Sequence, residues 1–243
     1  MAYPSLQERP LVWIDVETTG LDETEHEIIE FAALNEETGE VLEFKIWPEH
    51  LETATEEALE VNGFSVDEWE KSRALTMSEA LPRIVNFLQG AILAGQNVSF
   101  DERFIKAAIK TSGKPYKISH HKLDVATLAL VHLGPLGARS VSLNSICEYL
   151  GIPNEGAHRA MADVDRVRAA YLKLRNPYND DKEVWVKRIE AFNAEIDKRI
   201  TKKKLWETIR DYVRDCGGDP GSTTATAQVD QAIEDFRLAH SRR

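Results

Sequence analysis

At 243 residues, 42% hydrophobic and 29% charged, the chain can bury a core in one domain of about 150 to 200 residues and still carry an appendage. No apolar run approaches the roughly 18 residues that span a bilayer, the first ten residues lack the basic start and apolar stretch of an export signal, and Cys147 and Cys216 are the only cysteines. Membrane insertion, a disulfide framework and a zinc site are therefore not expected, and a reducing cytoplasm is. The net charge of -11 argues against a protein that coats long duplexes, because that affinity comes from Lys and Arg neutralising phosphates; a grip on a few nucleotides at a strand end, with metal cations supplying the positive charge, remains open.

Residues 10–17 read as an apolar strand ended by Thr18-Thr19-Gly20, followed by strands at 27–34 and 41–47 with a turn-forming Glu36-Glu37-Thr38-Gly39 between them. The period then lengthens. Helices are expected at 55–61, 66–71 and 78–88, the last capped by Ser78 and carrying Ala80, Leu81, Ile84, Val85 and Leu88 on one face. Ala91 to Ala94 is short, fully apolar and followed by Gly95, as expected of a buried parallel strand. Helices follow from Phe100, from an Asp124 cap to His132, from a Ser142 cap to Leu150 with Gly151 as its stop, and over 161–174. Strands first, then strands alternating with helices, predict an α/β domain with a mixed central sheet flanked by helices.

Pro177 marks a domain boundary. Beyond it Trp185, Ile189, Phe192, Ile196 and Ile200 form one stripe of an amphipathic helix, and Leu205, Ile209, Tyr212 and Val213 continue it with a shifted phase, which predicts a bend or second helix near Thr201. A flexible linker is expected near 217–227 and a last helix over 229–240. The expected domains are 1–175 and a helical C-terminal extension, 176–243.

The chemistry lies in three segments. In the strand ending Leu11-Val-Trp-Ile-Asp-Val-Glu-Thr-Thr-Gly20, Asp15 and Glu17 share a face, because successive side chains alternate. Two adjacent carboxylates there repel each other and lose solvation, a costly arrangement unless cations neutralise it. Asp101, in Gly95-Gln-Asn-Val-Ser-Phe-Asp-Glu-Arg-Phe104, and Asp163, in His158-Arg-Ala-Met-Ala-Asp163, each stand near the start of a helix, where the dipole alone would favour an acid. Together these carboxylates suit a pair of magnesium or manganese ions. Two such ions about 4 Å apart activate a water and stabilise the leaving oxygen of an in-line phosphodiester cleavage. His158, in a loop five residues before Asp163, is suited to take the proton of that water.

These segments resemble the three motifs of the DEDDh family of 3'-to-5' exonucleases, which includes the proofreading subunit of bacterial DNA polymerase III, ribonuclease T and oligoribonuclease. The resemblance covers about residues 10–175. It implies a ribonuclease H-like exonuclease fold, metal ligation of two divalent ions (Mg2+ or Mn2+) by Asp15, Glu17, Asp101 and Asp163, a general base at His158, and a supporting acid at Asp124. It also implies a terminal-nucleotide pocket at Thr18 and Leu21, with Asn62, Phe64 and Phe100 nearby; for Leu21, Phe64 and Phe100 core packing is the other reading. One departure is Gln96, where relatives often have histidine.

The implied activity is release of nucleoside 5'-monophosphates from single-stranded 3' ends, with DNA ahead of RNA. The alternatives are an RNA-directed exonuclease that trims tRNA or degrades short oligonucleotides, and a polymerase-associated proofreading or binding subunit. The basic stretch Lys106, Lys110, Lys114, Lys117, His120, His121 and Lys122 either tracks the strand backbone or forms a solvated face. The apolar stripe after Pro177 needs a cover, which could be the catalytic domain, a second copy of the chain or another protein.

Overall fold

A computed structural model describes residues 8–154, 158–175 and 182–215. The expected linker at 217–227, the helix at 229–240, Cys216 and the Pro177 boundary lie outside the described residues. The chain forms two compact units, 1–186 and 187–243.

The first unit is built on a mixed sheet. Strands β1 (Leu11–Thr18), β2 (Ile28–Asn35), β3 (Val41–Lys45), β4 (Ile92–Gly95) and β5 (Lys122–Asp124) lie in the order β3-β2-β1-β4-β5. β1 pairs antiparallel with β2 and parallel with β4, so the meander expected from the sequence supplies one edge and the helix-linked strands the other. β5 was not expected, because a run of three residues has no readable period. β3 stops short of Trp47: Ile46 pairs instead with Leu75 in an isolated parallel bridge.

The helices are α1 (Glu56–Asn62), α2 (Val66–Lys71), α3 (Met77–Phe87), α4 (Ser99–Ser112), α5 (Val125–Leu133), α6 (Leu143–Leu150), α7 (Ala160–Leu174) and α8 (Lys182–Asp215). The cap of α3 is Thr76, not Ser78. Glu79 reaches back to accept from the Thr76 backbone N–H at 2.9 Å and from its hydroxyl at 2.8 Å, and this capping-box contact moves the start one turn position earlier. Asp124 and Ser142 cap α5 and α6 as expected, accepting from Ala126 N and Ser145 N, and Gly151 closes α6 in the left-handed region (φ 64°). α8 runs through Thr201 as one helix, not two. No Pro or Gly falls between 182 and 215, so the shift in apolar phase has nothing to break the helix at.

Alternation along β1 sorts the core into two layers. Val12, Ile14 and Val16 are buried in the main cluster with Ala80 and Ile84 of α3, Leu88 at its C-terminal cap, and Phe104 and Ile105 of α4. Trp13 points to the other face, where its ring meets Tyr171 of α7 at 5.1 Å. Asp15 and Glu17 share that second face, so the sheet delivers both carboxylates to the α7 side. β4 approaches β1 so closely that a Cβ on Gly95 would stand 3.0 Å from the Ile14 carbonyl oxygen. Among the described residues no helix is long and apolar enough to cross a membrane.

Candidate active site

The site forms at the C-terminal end of β1. Asp15 lies opposite Ala32 and Glu17 opposite Glu30 of β2, and the register slips between Glu17 and Thr18, releasing the chain from the ladder. Asp101, in the first turn of α4, is buried at 3% exposure and its Oδ1 accepts from the Val16 backbone N–H at 3.0 Å, which fastens it between the two β1 acids. Asp163 is brought in from the first turn of α7. Carboxylate oxygens of Glu17 and Asp163 and a ring nitrogen of His158 lie within 4.8 Å of one another. His158 is exposed and holds a left-handed backbone (φ 66°) immediately before α7.

Charge at this site is poorly balanced. Burial first, then the neighbouring Asp101, Glu17, Asp163 and Glu30, push the Asp15 carboxyl well above the usual carboxylate range. Glu17 is raised to about 8, again by burial first and then by Asp163, Glu30 and Asp101, with Arg159 opposing. Burial lifts Asp101 to about 7 despite the backbone N–H donors of Asp101 and Val16. Burial and like charge both disfavour the ionised forms, so the cluster lacks positive charge. Carboxylate oxygens are the donors that hard divalent cations take, and the four carboxylates gathered here fit such ions.

Asp124 stands beside Asp101. Its Oδ1 accepts from Asn97 N at 3.1 Å and Ala126 N at 2.9 Å, tying the loop before α4 to the start of α5. Gln96 faces away, its amide donating to the Val141 carbonyl at 2.6 Å.

A cavity of about 750 Å³ adjoins Glu17, with Thr18, Leu21, Asn62 and Phe100 among its lining residues. Leu21 is 80% exposed, so its side chain is not core. Asn62 is buried with both ends of its amide engaged, donating to the Thr18 carbonyl and accepting from Phe64 N, and it shapes the wall of the cavity. Phe100 packs on Phe104 at 4.8 Å. Phe64 is not among the lining residues: its ring leans on Trp69 at 4.7 Å. The turn after β1 is tight, since a Cβ on Gly20 would stand 2.3 Å from the His26 ring. In the basic stretch, Lys106 and Lys122 both pair with Glu102, at 2.7 and 2.8 Å.

Sequence reading missed Glu30, Arg159 and Arg166. Arg166 is 5% exposed and places Nε and Nη2 on Asp163 Oδ1 at 3.1 and 2.6 Å, while Nη1 holds Asn144 and Asn154. Its spacing of three from Asp163 on one helix was the available signal. Glu30 interrupts an otherwise apolar strand, and Arg159 follows His158 directly.

A family model described as Exonuclease (RNase T) matches residues 12–171. A DNA polymerase III PolC-type protein of Thermotoga petrophila is 31% identical over 70% of this chain, which spans only 12% of that protein's length. A DNA polymerase III subunit epsilon of Aquifex aeolicus is 27% identical over 75% of this chain and 86% of its own. Among solved structures, E. coli exonuclease I in complex with a dT13 oligonucleotide superimposes with a TM-score of 0.59 and 21% identity, over 70% of this chain and 42% of that one. The chain belongs to the RNase T exonuclease family and has the ribonuclease H-like fold of the DEDD 3'-to-5' exonucleases.

Proposed function

We propose that the chain is a metal-dependent 3'-to-5' exonuclease that releases nucleoside 5'-monophosphates from single-stranded 3' ends, with DNA ahead of RNA. The observation that carries this reading is the convergence of Asp15, Glu17, Asp101 and Asp163, with His158, at the end of one strand beside an open cavity. These carboxylates would hold two Mg2+ or Mn2+ ions. When bound, such ions lower the pKa of a water and stabilise charge on the leaving oxygen.

The chain's own residues do the rest. His158, solvent-facing and close to Glu17 and Asp163, accepts the proton of the attacking water. Asp124 supports Asp101 by fixing the loop that precedes α4. The cavity receives the terminal nucleotide, with Leu21 and Phe100 offering apolar faces that hold a base without reading its identity. The DNA preference is supported by the relatives, which are DNA polymerase III proteins, and by the exonuclease I neighbour, whose complex holds a deoxythymidine oligonucleotide. The buried free Cys147, its thiol pushed up to about 11 mainly by burial, is consistent with a reducing cytoplasm.

The test is degradation of matched 5'-labelled single-stranded DNA and RNA with Mg2+ or Mn2+, with a His158→Ala control. A DNA ladder shortening from the 3' end and lost in the control supports the reading. Shortening of RNA alone moves it to RNA maturation, and no metal-dependent shortening of either refutes it. A second reading is favoured by the match over 86% of an epsilon subunit: the same enzyme works as a proofreading partner of a polymerase, with domain 1–175 catalytic and 176–243 the helical docking extension. Size-exclusion chromatography with light scattering separates self-association from a monomer awaiting such a partner.

A further inference from the structure

The mechanism above makes no use of a group of charges that surrounds the turn carrying His158. His158 adopts a left-handed backbone (φ 66°), a conformation that a non-glycine residue keeps only where its surroundings hold it. The next residue, Arg159, caps α7 through its backbone and sends its guanidinium between two carboxylates. On one side is Glu30, 1% exposed: its Oε1 accepts from the Ala160 N–H at 3.1 Å, and its Oε2 lies 3.4 Å from Arg159 Nε. Neither of those last two atoms has a hydrogen-bond partner, so they meet as an ion pair across that gap. On the other side, Arg159 Nη1 donates to Glu68 Oε1 at 3.1 Å. Glu68 is itself paired with Lys45, whose ammonium sits 3.9 Å over the Trp69 ring. The residues directly after His158 are thus fastened to β2 by the buried carboxylate of Glu30 and to α2 by the more exposed carboxylate of Glu68.

We propose that Arg159 is a positioning residue for His158: by bridging Glu30 and Glu68 it holds the left-handed turn that sets the imidazole beside Glu17 and Asp163. The inference rests on the reading of His158 as the general base. The bridge suits a guanidinium, whose rigid, diverging nitrogens span two separated acids at once; the compact ammonium of a lysine spans a shorter distance and holds them less firmly. Without the bridge the backbone is free to leave the left-handed region, and the imidazole swings away from the acids while the carboxylates stay in place on β1, α4 and α7.

The test uses the full chain and the variants Arg159→Gln, Arg159→Lys and Glu68→Gln. The first readout is the His158 ring proton resonance in metal-free protein, assigned by its loss in His158→Gln. The second is kcat and KM on a single-stranded DNA oligomer across pH. Arg159→Gln is expected to move the His158 resonance toward that of a free histidine and to lower kcat about a hundredfold with KM little changed, the signature of a displaced catalytic group. Arg159→Lys recovers part of both. Glu68→Gln, which alters only the more exposed end of the bridge, moves the resonance in the same direction by less and keeps the test open if Arg159→Gln fails to fold. An unmoved His158 resonance in Arg159→Gln overturns the proposal, and so does an effect confined to KM that weakens with salt, which would make Arg159 a phosphate contact. If the wild-type chain cleaves no 3' end, the exonuclease reading fails, and the resonance still decides what holds the turn.

Discussion

Two groups of acidic side chains in the first unit are built in opposite ways. Glu36, Glu68 and Glu102 each have basic partners. Arg168 and Trp13 bond Glu36, Lys45 and Arg159 bond Glu68, and Lys106 and Lys122 offset the burial of Glu102, so all three carboxyls titrate below their ordinary range. At the end of β1 the acids face mainly one another, and Asp15, Glu17 and Asp101 titrate above theirs. The chain supplies arginines and lysines to carboxylates elsewhere in the same unit. The shortage at β1 is therefore specific to that place, and a buried cluster of acids short of positive charge suits divalent cations.

Removing acids from each group should break this comparison in opposite directions. Asp15→Asn and Glu17→Gln are expected to abolish 3'-end cleavage to below detection while raising the metal-free unfolding temperature at pH 8, because an amide cannot repel its neighbours; gel assays and thermal melts check both halves. Arg166→Ala tests the basic side chain that the site does possess. It strands Asp163 inside the protein, and breaking a buried pair from one side costs about 3–5 kcal/mol, to be read from denaturant unfolding. Glu36→Ala leaves the Trp13 indole N–H and Arg168 without their acceptor and should cost roughly 1–3 kcal/mol, with cleavage unchanged.

A further test is the pH dependence of the metal-free protein. Glu17 titrates near 8 when folded against an ordinary 4.5, and Asp101 near 7 against 3.8. Between the ordinary and the raised values the folded state binds more protons than the unfolded one, so stability falls as pH rises. Melting temperatures should therefore decline from about pH 5 to pH 8, and saturating Mn2+ should flatten that decline by stabilising the folded state through mass action.

Much of this was legible in the sequence for identifiable reasons. The alternation of β1 placed Asp15 and Glu17 on one face, and the apolar face of α3 and the caps at Asp124 and Ser142 followed from spacing and residue type. β5 was too short to show a period, and the start of α3 was misplaced because Ser78 looked like a cap while Glu79 was already answering Thr76. Contacts between distant segments were out of reach. Nothing local ties Glu30 to Ala160, 130 residues later, or Arg159 to Glu68, 91 residues earlier. The placement of Phe64 against Trp69, away from the cavity, likewise depends on how α2 packs against the sheet.

The central claim is that the acids at the end of β1 bind divalent cations, and calorimetric titration of the metal-free protein with Mn2+ at pH 7, in two buffers of different ionisation heat, tests it most directly. Because Glu17 titrates near 8, it is expected to give up a proton as metal binds, so the account predicts tight binding with net proton release, diminished in Glu17→Gln. Binding without proton release, or no binding at all, would contradict it.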